Sequence, residues 1–244
     1  MIAPYINVPS KPNLDISRMN QTIAAILARS GFYLFGHFAD GGGAIEPLYI
    51  STARVLGNVE GFETIISELC IRVLASRSDL LAGVVGSGLP FSAGVSLRLR
   101  IPSITVRSSP ENHGEGAAVQ GSYKSGQSVL LIDDAIGDGT SKNRCIQQLE
   151  YVGLQVSDIL TIWECGIPLV NELRDRQIRS QSLITHRELI TYMDSERLIP
   201  SECAQELIDV YDCPERWNAT VWRRWRESCA RYGIPWHEPS YFRQ

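Results

Sequence analysis

The sequence has few lysines and no long apolar run. Of its 23 basic residues, only Lys11, Lys124 and Lys142 are lysines. The simplest interpretation is that this scarcity reflects genomic composition. That interpretation needs revision only if a functional site requires lysine. No apolar stretch approaches the roughly 18 residues of a transmembrane helix. The first residues also lack the basic and then apolar segments of a signal peptide, so we expect no membrane association.

Paired cysteine motifs are absent as well. None of the six cysteines forms a Cys-x-x-Cys pair, so we expect free thiols and a cytoplasmic protein.

The net charge of −4 argues against a dedicated nucleic-acid-binding protein. With 244 residues, 44% hydrophobic and 20% charged, the chain is typical of one large globular domain or a domain with an appendage. Disorder, collagen and coiled coil are excluded.

Short apolar segments alternate with helical patterns over most of the chain. Apolar spacing predicts helices over 15–30, 60–77, 89–99 and from about 140 to 153. Asp15 is the predicted N-cap of the first helix and Gly31 its end. Strands are predicted at 32–38, 47–52, 80–86, 103–106, 129–133 and 155–163. This alternation predicts a parallel sheet covered by helices on both faces.

The last thirty residues differ from the rest, because four of the five tryptophans lie there. A helix between Pro214 and Gly233 would place Trp217, Val221 and Trp225 on one face. Its arginines are Arg216, Arg223, Arg224, Arg226 and Arg231. The segment is either a helix docked on the core with solvated arginines, which we favour, or a basic aromatic surface for a partner.

The most informative segment runs from Val129 to Ser141, where an apolar strand precedes two acids and a glycine-containing turn. Ligands of open α/β sheets bind outside the carboxyl ends of the strands. There, Asp133 and Asp134 can accept hydrogen bonds from neighbouring hydroxyls, and the amides of the turn and of the next helix suit a phosphate. Thr140 and Ser141 add hydroxyl donors. This order of features favours a sugar phosphate over an acidic strand end beside an ordinary helix.

The segment LLIDDAIGDGTS resembles the ribose-phosphate motif of the type I phosphoribosyltransferases, and its surroundings are similar to the orotate phosphoribosyltransferases. FGHFADGGGAIEPLYIS resembles the hood and base-contacting strand, GVVGSGLPFSAGV the diphosphate loop, and Arg107 with NHGEG (112–116) the mobile catalytic loop. The resemblance implies an α/β fold, a twisted and mainly parallel sheet with helices on both faces and a small hood. It covers residues 15–212, which leaves 1–14 as an arm and 213–244 as a helical extension.

The resemblance also implies a reaction, the transfer of a 5-phosphoribosyl group from its diphosphate donor to a nitrogen of a base, with Mg²⁺ carried by the diphosphate. Implied catalytic residues are Asp133, Asp134, Arg107 and His113, and Asp138 is a further catalytic candidate in this loop. Implied ribose-phosphate contacts are Asp133, Asp134, Ala135, Gly137, Asp138, Gly139, Thr140 and Ser141. The implied diphosphate region is Ser87, Gly88, Arg107 and Ser108, and the base pocket is Tyr49, Ile50, Glu164 and Cys165. A homodimer is implied, because the family completes each site with the neighbour's mobile loop.

The chain departs from this family around the diphosphate. The positions of four family lysines fall near Gly41 and at Ser87, Ser108 and Glu111, and losing one such contact costs about 3 kcal/mol of transition-state stabilisation. Lys11, Lys124 and Lys142 lie elsewhere and are not expected to replace them. Asp138 stands where a small neutral residue is usual, and Cys165 stands where the family has an arginine for the carboxylate of orotate.

Three functions are therefore compatible with the sequence. The first is an active phosphoribosyltransferase with orotate or an altered acceptor, in which arginines or a partner subunit contact the diphosphate. The second is an enzyme that cleaves the glycosidic bond of a nucleoside monophosphate or acts on ribose 5-phosphate, with Asp138, Glu111 or His113 as acid or base. The third is a non-catalytic ligand sensor whose Trp/Arg-rich tail docks a partner.

Overall fold

Six strands with largely buried central residues form the main sheet. The structure is a computed structural model that describes residues 16–39, 45–110, 117–166, 169–213 and 219–237. The strands of this sheet are β3 (Leu80–Val84), β4 (Ser103–Val106), β5 (Val119–Gln120), β6 (Ser128–Ile136), β7 (Gln155–Glu164) and β8 (Arg179–Thr185). Their order is β5-β4-β3-β6-β7-β8. Neighbouring strands run parallel except β4 and β5, which confirms the predicted, mainly parallel α/β fold.

Helices cover both faces of this sheet. They are α1 (Ile16–Arg29), α2 (Val59–Ser76), α3 (Leu89–Leu99), α4 (Thr140–Tyr151), α5 (Asn171–Arg174), α6 (His186–Ser195), α7 (Ser201–Asp212) and α8 (Ala219–Arg231). Because successive strand residues point to opposite faces, Leu130 and Ile132 of β6 pack with α2 and α3, whereas Val129 and Leu131 pack with α4. Within the described ranges, no helix is long and apolar enough to cross a membrane.

A second, smaller sheet forms the hood. Strands β1 (Tyr33–Ala39) and β2 (Ile45–Ile50) pair antiparallel, and β9 (Trp236–His237) pairs parallel to β1. A Cβ atom on Gly36 would lie 2.1 Å from the carbonyl oxygen of His237. The close approach of β9 to β1 therefore requires glycine at this position. After β2, a 3₁₀ helix (Thr52–Gly57) leads the chain into α2.

The C-terminal helix α8 packs on the hood. Trp225 is 1% exposed, and its ring stacks on Phe35 of β1 with centroids 5.6 Å apart. Arg224 pairs with Glu206 of α7 and Arg231 lies 4.0 Å from Glu202, while Arg223 and Arg226 are exposed. These contacts favour the docked-helix interpretation over a partner-binding aromatic surface. Asp15, Pro214, Arg216 and Trp217 lie outside the described residues.

Predicted and observed elements differ mainly at their ends. Helix α3 and strand β4 begin and end where the sequence predicts, but β2 covers 45–50 rather than 47–52. Strand β6 extends to Ile136 and so carries both acids within the strand. The sequence analysis did not identify β8, α6 and α7, although α6 begins with a capping box between Thr185 and Glu188.

Candidate active site

Two adjacent carboxylates stand near the carboxyl end of β6. Because neighbouring strand residues point to opposite faces, Asp133 and Asp134 face different surroundings. Asp133 is 4% exposed, whereas Asp134 is half-buried. The backbone N–H of Asp134 donates to Asp133 Oδ1 over 2.8 Å. The pair therefore offers one enclosed carboxylate and one that reaches the surface.

A buried lysine neutralises Asp133. Lys142, in the first turn of α4, is 9% exposed, and its Nζ atom lies 2.5 Å from Asp133 Oδ2. Burial raises the pKa of Asp133 to about 6, the Lys142 ammonium opposes this rise, and the Asp134 carboxylate adds to it. At pH 7 Asp133 is therefore mostly ionised. Lys142 reaches Asp133 because helical side chains point back towards the N-terminus of their helix. The sequence analysis assigned it no contact with the acid pair.

The second carboxylate is connected to the hood. Thr52 is 1% exposed, and its hydroxyl donates to Asp134 Oδ2 over 2.5 Å. Thr52 follows directly on β2, which carries Tyr49 and Ile50. The ends of β2 and β6 are thus joined, and the predicted base-contacting strand lies beside the acid pair.

In the loop between β6 and α4, the side chain of Asp138 accepts hydrogen bonds from the start of the helix. Asp138 Oδ1 accepts from the N–H of Thr140 over 2.9 Å, and Asp138 Oδ2 accepts from the Thr140 hydroxyl over 2.7 Å. Gly139 has a φ of +84°, and a Cβ atom there would lie 2.5 Å from Leu173 Cδ2. The donors at a helix N-terminus attract anions, and here a carboxylate of the chain engages two of them.

Other residues of the predicted ribose-phosphate loop lie around this turn. Ala135 and Gly137 are half-buried, and Ser141 is exposed on the first turn of α4. The structure therefore brings the whole predicted motif to one edge of the sheet, next to the acid pair.

The loop after β3 lies against Asp133. A Cβ atom on Gly88 would come within 2.6 Å of Asp133 Oδ1, so this approach of the backbone requires glycine. Ser87, the preceding residue, is half-buried. The predicted diphosphate loop is therefore adjacent to the acid pair, as expected for consecutive groups of one ligand.

Arg107 lies at the end of β4, the next strand of the sheet. Its backbone N–H donates to the carbonyl of Ala118 over 2.8 Å, and its Nη1 atom donates to Gln120 Oε1 over 3.3 Å. Arg107 and its neighbour Ser108 are both half-buried. The guanidinium is thus held on the same edge of the sheet as the acid pair.

The predicted base pocket combines an exposed ring with a buried thiol. Tyr49 is 50% exposed, and its ring centroid lies 5.4 Å from that of Phe38. Cys165 is 4% exposed, and its thiol donates to the carbonyl of Ile136 over 3.4 Å. Glu164, at the end of β7, is half-buried. A buried thiol bonded to the backbone does not supply the positive charge that a carboxylated base requires.

A buried histidine packs against Gly166, the residue that follows Cys165. Gly166 has a φ of +73°, and a Cβ atom there would lie 2.3 Å from His186 Cε1. His186 Nε2 lies 3.6 Å from Asp212 Oδ1. Burial lowers the pKa of His186, Asp212 opposes this and Arg187 adds to it. The ring is therefore mostly neutral at pH 7.

Sequence reasoning missed three residues of this site, namely Thr52, Lys142 and His186. A polar residue directly after a strand was an available signal for Thr52, and a lysine in the first turn of a helix was one for Lys142. His186 has no comparable sequence signal. The predicted loop residues Gly41, Glu111 and His113 lie outside the described residues.

Related proteins identify the family. No family model matches the chain. The orotate phosphoribosyltransferase of Thermococcus gammatolerans is 30% identical over 139 residues, which are 56% of this chain and 73% of that protein. The chain belongs to the orotate phosphoribosyltransferase family. The structure of orotate phosphoribosyltransferase from Aeropyrum pernix agrees, with 29% identity, a TM-score of 0.61, and coverage of 72% of this chain and 98% of that one.

Some relatives in the family are longer. The bifunctional enzyme PyrF/PyrE of a Nostoc species is 27% identical over 169 residues, which are 69% of this chain. The chain spans 35% of the length of that relative. The matched part of this relative is thus a segment of a larger protein.

The site fits a magnesium ion only as part of a ligand complex. Among the described residues, no three His, Cys, Asp or Glu side chains are grouped to hold a metal. Asp133 Oδ2 contacts Lys142, and Asp134 Oδ2 accepts from Thr52. Magnesium is usually held by one or two carboxylates together with phosphates of a substrate.

Proposed function

We propose that this protein transfers a 5-phosphoribosyl group from phosphoribosyl diphosphate to a ring nitrogen of a base of the orotate type. The observation that carries the proposal is the acid pair at the end of β6, which continues through the GDGTS turn into α4 in a member of this family. This order matches the groups of a ribose 5-phosphate. Carboxylates that can accept from the ribose hydroxyls come first, and N–H and hydroxyl groups that can donate to the phosphate follow.

Each part of the donor has a place in this proposal. Asp134 accepts from the ribose hydroxyls, and the Thr140 amide and hydroxyl bind the 5-phosphate. The diphosphate lies along the loop that ends at Gly88, near Arg107, and brings Mg²⁺ with it. Mg²⁺ neutralises the leaving group when bound, and the surrounding backbone amides and Arg107 add stabilisation as negative charge develops there. Closure of the site would exclude water.

The acceptor is the part of the function in which this chain departs most from its family. Tyr49 and Ile50 can cover a flat ring, which fits an aromatic base. Cys165 leaves the position of the carboxylate-binding arginine without charge. We therefore propose an orotate-like ring, with a non-carboxylated base as the preferred acceptor.

A second candidate follows from the serines in the diphosphate region. Ser87 and Ser108 supply no charge where the family has lysines, and a nucleoside monophosphate needs no such contacts. Cleavage of its glycosidic bond, with Asp138 as the acid or base, is therefore the alternative enzyme activity.

Calorimetry separates these functions. The protein is titrated with phosphoribosyl diphosphate and Mg²⁺, and then with nucleoside monophosphates, and turnover is measured with a panel of bases. The proposal expects Mg²⁺-dependent binding of the diphosphate and release of pyrophosphate with at least one base. Binding of monophosphates alone, with release of free base, would support the alternative, and binding without turnover would support a sensor.

Matched variants assign the binding to this site. Asp134→Asn should abolish binding of the donor, because the ribose hydroxyls lose a charged acceptor. Glu60→Gln, which removes a charge on the exposed side of α2, should bind like the wild type. Equal binding by both variants would place the ligand elsewhere. A homodimer belongs to the proposal, and light scattering during size exclusion tests it.

A further inference from the structure

Lys142 occupies a position that helix energetics disfavour. It lies in the first turn of α4 and is 9% exposed. A cation near a helix N-terminus opposes the helix dipole and so weakens the helix. A buried charge adds a desolvation cost. Residues that break such local rules are concentrated at functional sites.

The side chain of Lys142 is held by one carboxylate. Its Nζ atom lies 2.5 Å from Asp133 Oδ2, and the side chains are 11% and 6% exposed. Buried ion pairs are poor stabilisers, because desolvation offsets much of their attraction. Stability alone therefore does not account for a lysine at this point.

The remaining contacts of Asp133 fix the direction of its carboxylate. Its Oδ1 atom accepts from the backbone N–H of Asp134 over 2.8 Å, and the Gly88 backbone closes that side. Lys142 holds the other oxygen. Because the N–H group that donates to Asp133 Oδ1 belongs to Asp134, a fixed Asp133 carboxylate also holds the backbone from which the Asp134 side chain extends.

From this geometry we propose that Lys142 is a positioning residue of the acid pair: its ammonium group keeps Asp133 ionised and oriented, and Asp133 in turn orients Asp134 for the ribose hydroxyls. The inference rests on the proposed ribose-phosphate site. Lys142 itself contacts Asp133 and acts on the ligand through it.

The charges around Asp133 make this role testable by pH. Lys142 and Cys145 face it from α4, and Asp134 follows it on β6. Lys142 is the group that lowers the pKa of Asp133, against burial and Asp134, which raise it. Without the ammonium, the pKa of Asp133 would rise further and a larger share of its carboxyl group would be protonated at neutral pH. Once the pKa exceeds the pH, each further unit of increase reduces the carboxylate fraction about tenfold.

The test compares Lys142→Met and Lys142→Arg with Lys124→Met, a control at an exposed lysine of the β5–β6 connection. Binding of ribose 5-phosphate is measured by calorimetry from pH 5 to 9. Lys142→Met should bind about two- to tenfold more weakly at pH 7, as for an increase of about one to two units in the pKa of Asp133. Its affinity should recover towards pH 9, whereas Lys142→Arg and Lys124→Met should follow the wild-type profile. A Lys142→Met variant with the wild-type affinity and profile would overturn the inference.

Carbon-13 titration of the Asp133 carboxyl in the free protein makes the inference independent of the ligand. An increase of one unit or more in its pKa in Lys142→Met supports the role of Lys142, and an unchanged pKa overturns it. If ribose 5-phosphate binds neither to the wild type nor to any variant, the proposed function fails. The carbon-13 titration still shows in that case whether Lys142 controls the charge of Asp133. Loss of folding in Lys142→Met would be seen as loss of the dispersed spectrum. The inference then requires Lys142→Arg to keep the wild-type pKa of Asp133 and the wild-type affinity, and a raised pKa or weaker binding in a folded Lys142→Arg protein would overturn it.

Discussion

Removing the charge of Asp138 should strengthen the binding of ribose 5-phosphate. Asp138 engages the amide and hydroxyl of Thr140 over 2.9 and 2.7 Å, and these are the donors that the proposed 5-phosphate would use. Asp138→Asn keeps an oxygen that can accept from the Thr140 amide. It also replaces a negative acceptor with a neutral group that can donate to phosphate. The change therefore affects charge far more than shape.

The size of the effect follows from Coulomb's law. Asp138 is exposed, so a water-like dielectric applies. A carboxylate and a phosphate dianion about 5 Å apart then repel by about 1–2 kcal/mol, which is roughly five- to thirtyfold in affinity. Salt should reduce the difference, because exposed charges are screened.

Calorimetry at low and high salt measures this difference. Titrations of the wild type and Asp138→Asn with ribose 5-phosphate are compared with titrations using unphosphorylated ribose. Only the phosphorylated ligand should bind more tightly to the variant, and most clearly at low salt. If a folded Asp138→Asn protein binds ribose 5-phosphate no more tightly than the wild type does, the loop is not the phosphate site or Asp138 moves away without cost.

Three further predictions concern stability. Trp225→Ala should lower the free energy of unfolding by about 3–5 kcal/mol in urea denaturation, because the ring is 1% exposed on Phe35; a loss below about 1 kcal/mol would contradict docking of α8. Gly36→Ala should speed hydrogen exchange at His237, because the added Cβ atom would lie 2.1 Å from the carbonyl oxygen of His237. Gly57→Ala is the control and should leave the exchange unchanged, because an added Cβ atom there would meet nothing within 4 Å. Burial raises the pKa of Asp133 in the folded protein to about 6, above its value in the unfolded chain. In urea denaturation at a series of pH values, the free energy of unfolding of the wild type should therefore fall by up to about 3 kcal/mol relative to that of Asp133→Asn as the pH rises from about 4 to 6, and it should not change further above pH 6.

The central strands and the loop between β6 and α4 could be predicted because their signals are local. An apolar run such as the one in β6 is typical of a strand buried on both faces, and the acids with the following glycines mark one end of it. Strand β9 could not be predicted in this way. It has two residues, and it exists because Gly36 lets the backbone of His237 approach β1.

The contact between Lys142 and Asp133 was also beyond sequence reasoning. A resemblance to the family directs attention to the positions where it has lysines, and Lys142 is not among them. Its contact depends on how α4 packs over β6, which brings the first turn of the helix above the acid pair. The same holds for Thr52, whose hydroxyl reaches Asp134 only because the hood closes over the sheet.

The scarcity of lysine acquires a physical meaning at this site. The positive charge of Lys142 is paired with Asp133, so under the proposed function it would support the ribose end of the ligand and contribute little to the diphosphate. Ser87 and Ser108 would then leave the diphosphate end with Arg107, the loop amides and the cation that the ligand carries. A chain built in this way should depend more strongly on Mg²⁺ for binding phosphoribosyl diphosphate than for binding ribose 5-phosphate, because only the former brings the unneutralised leaving group into the site.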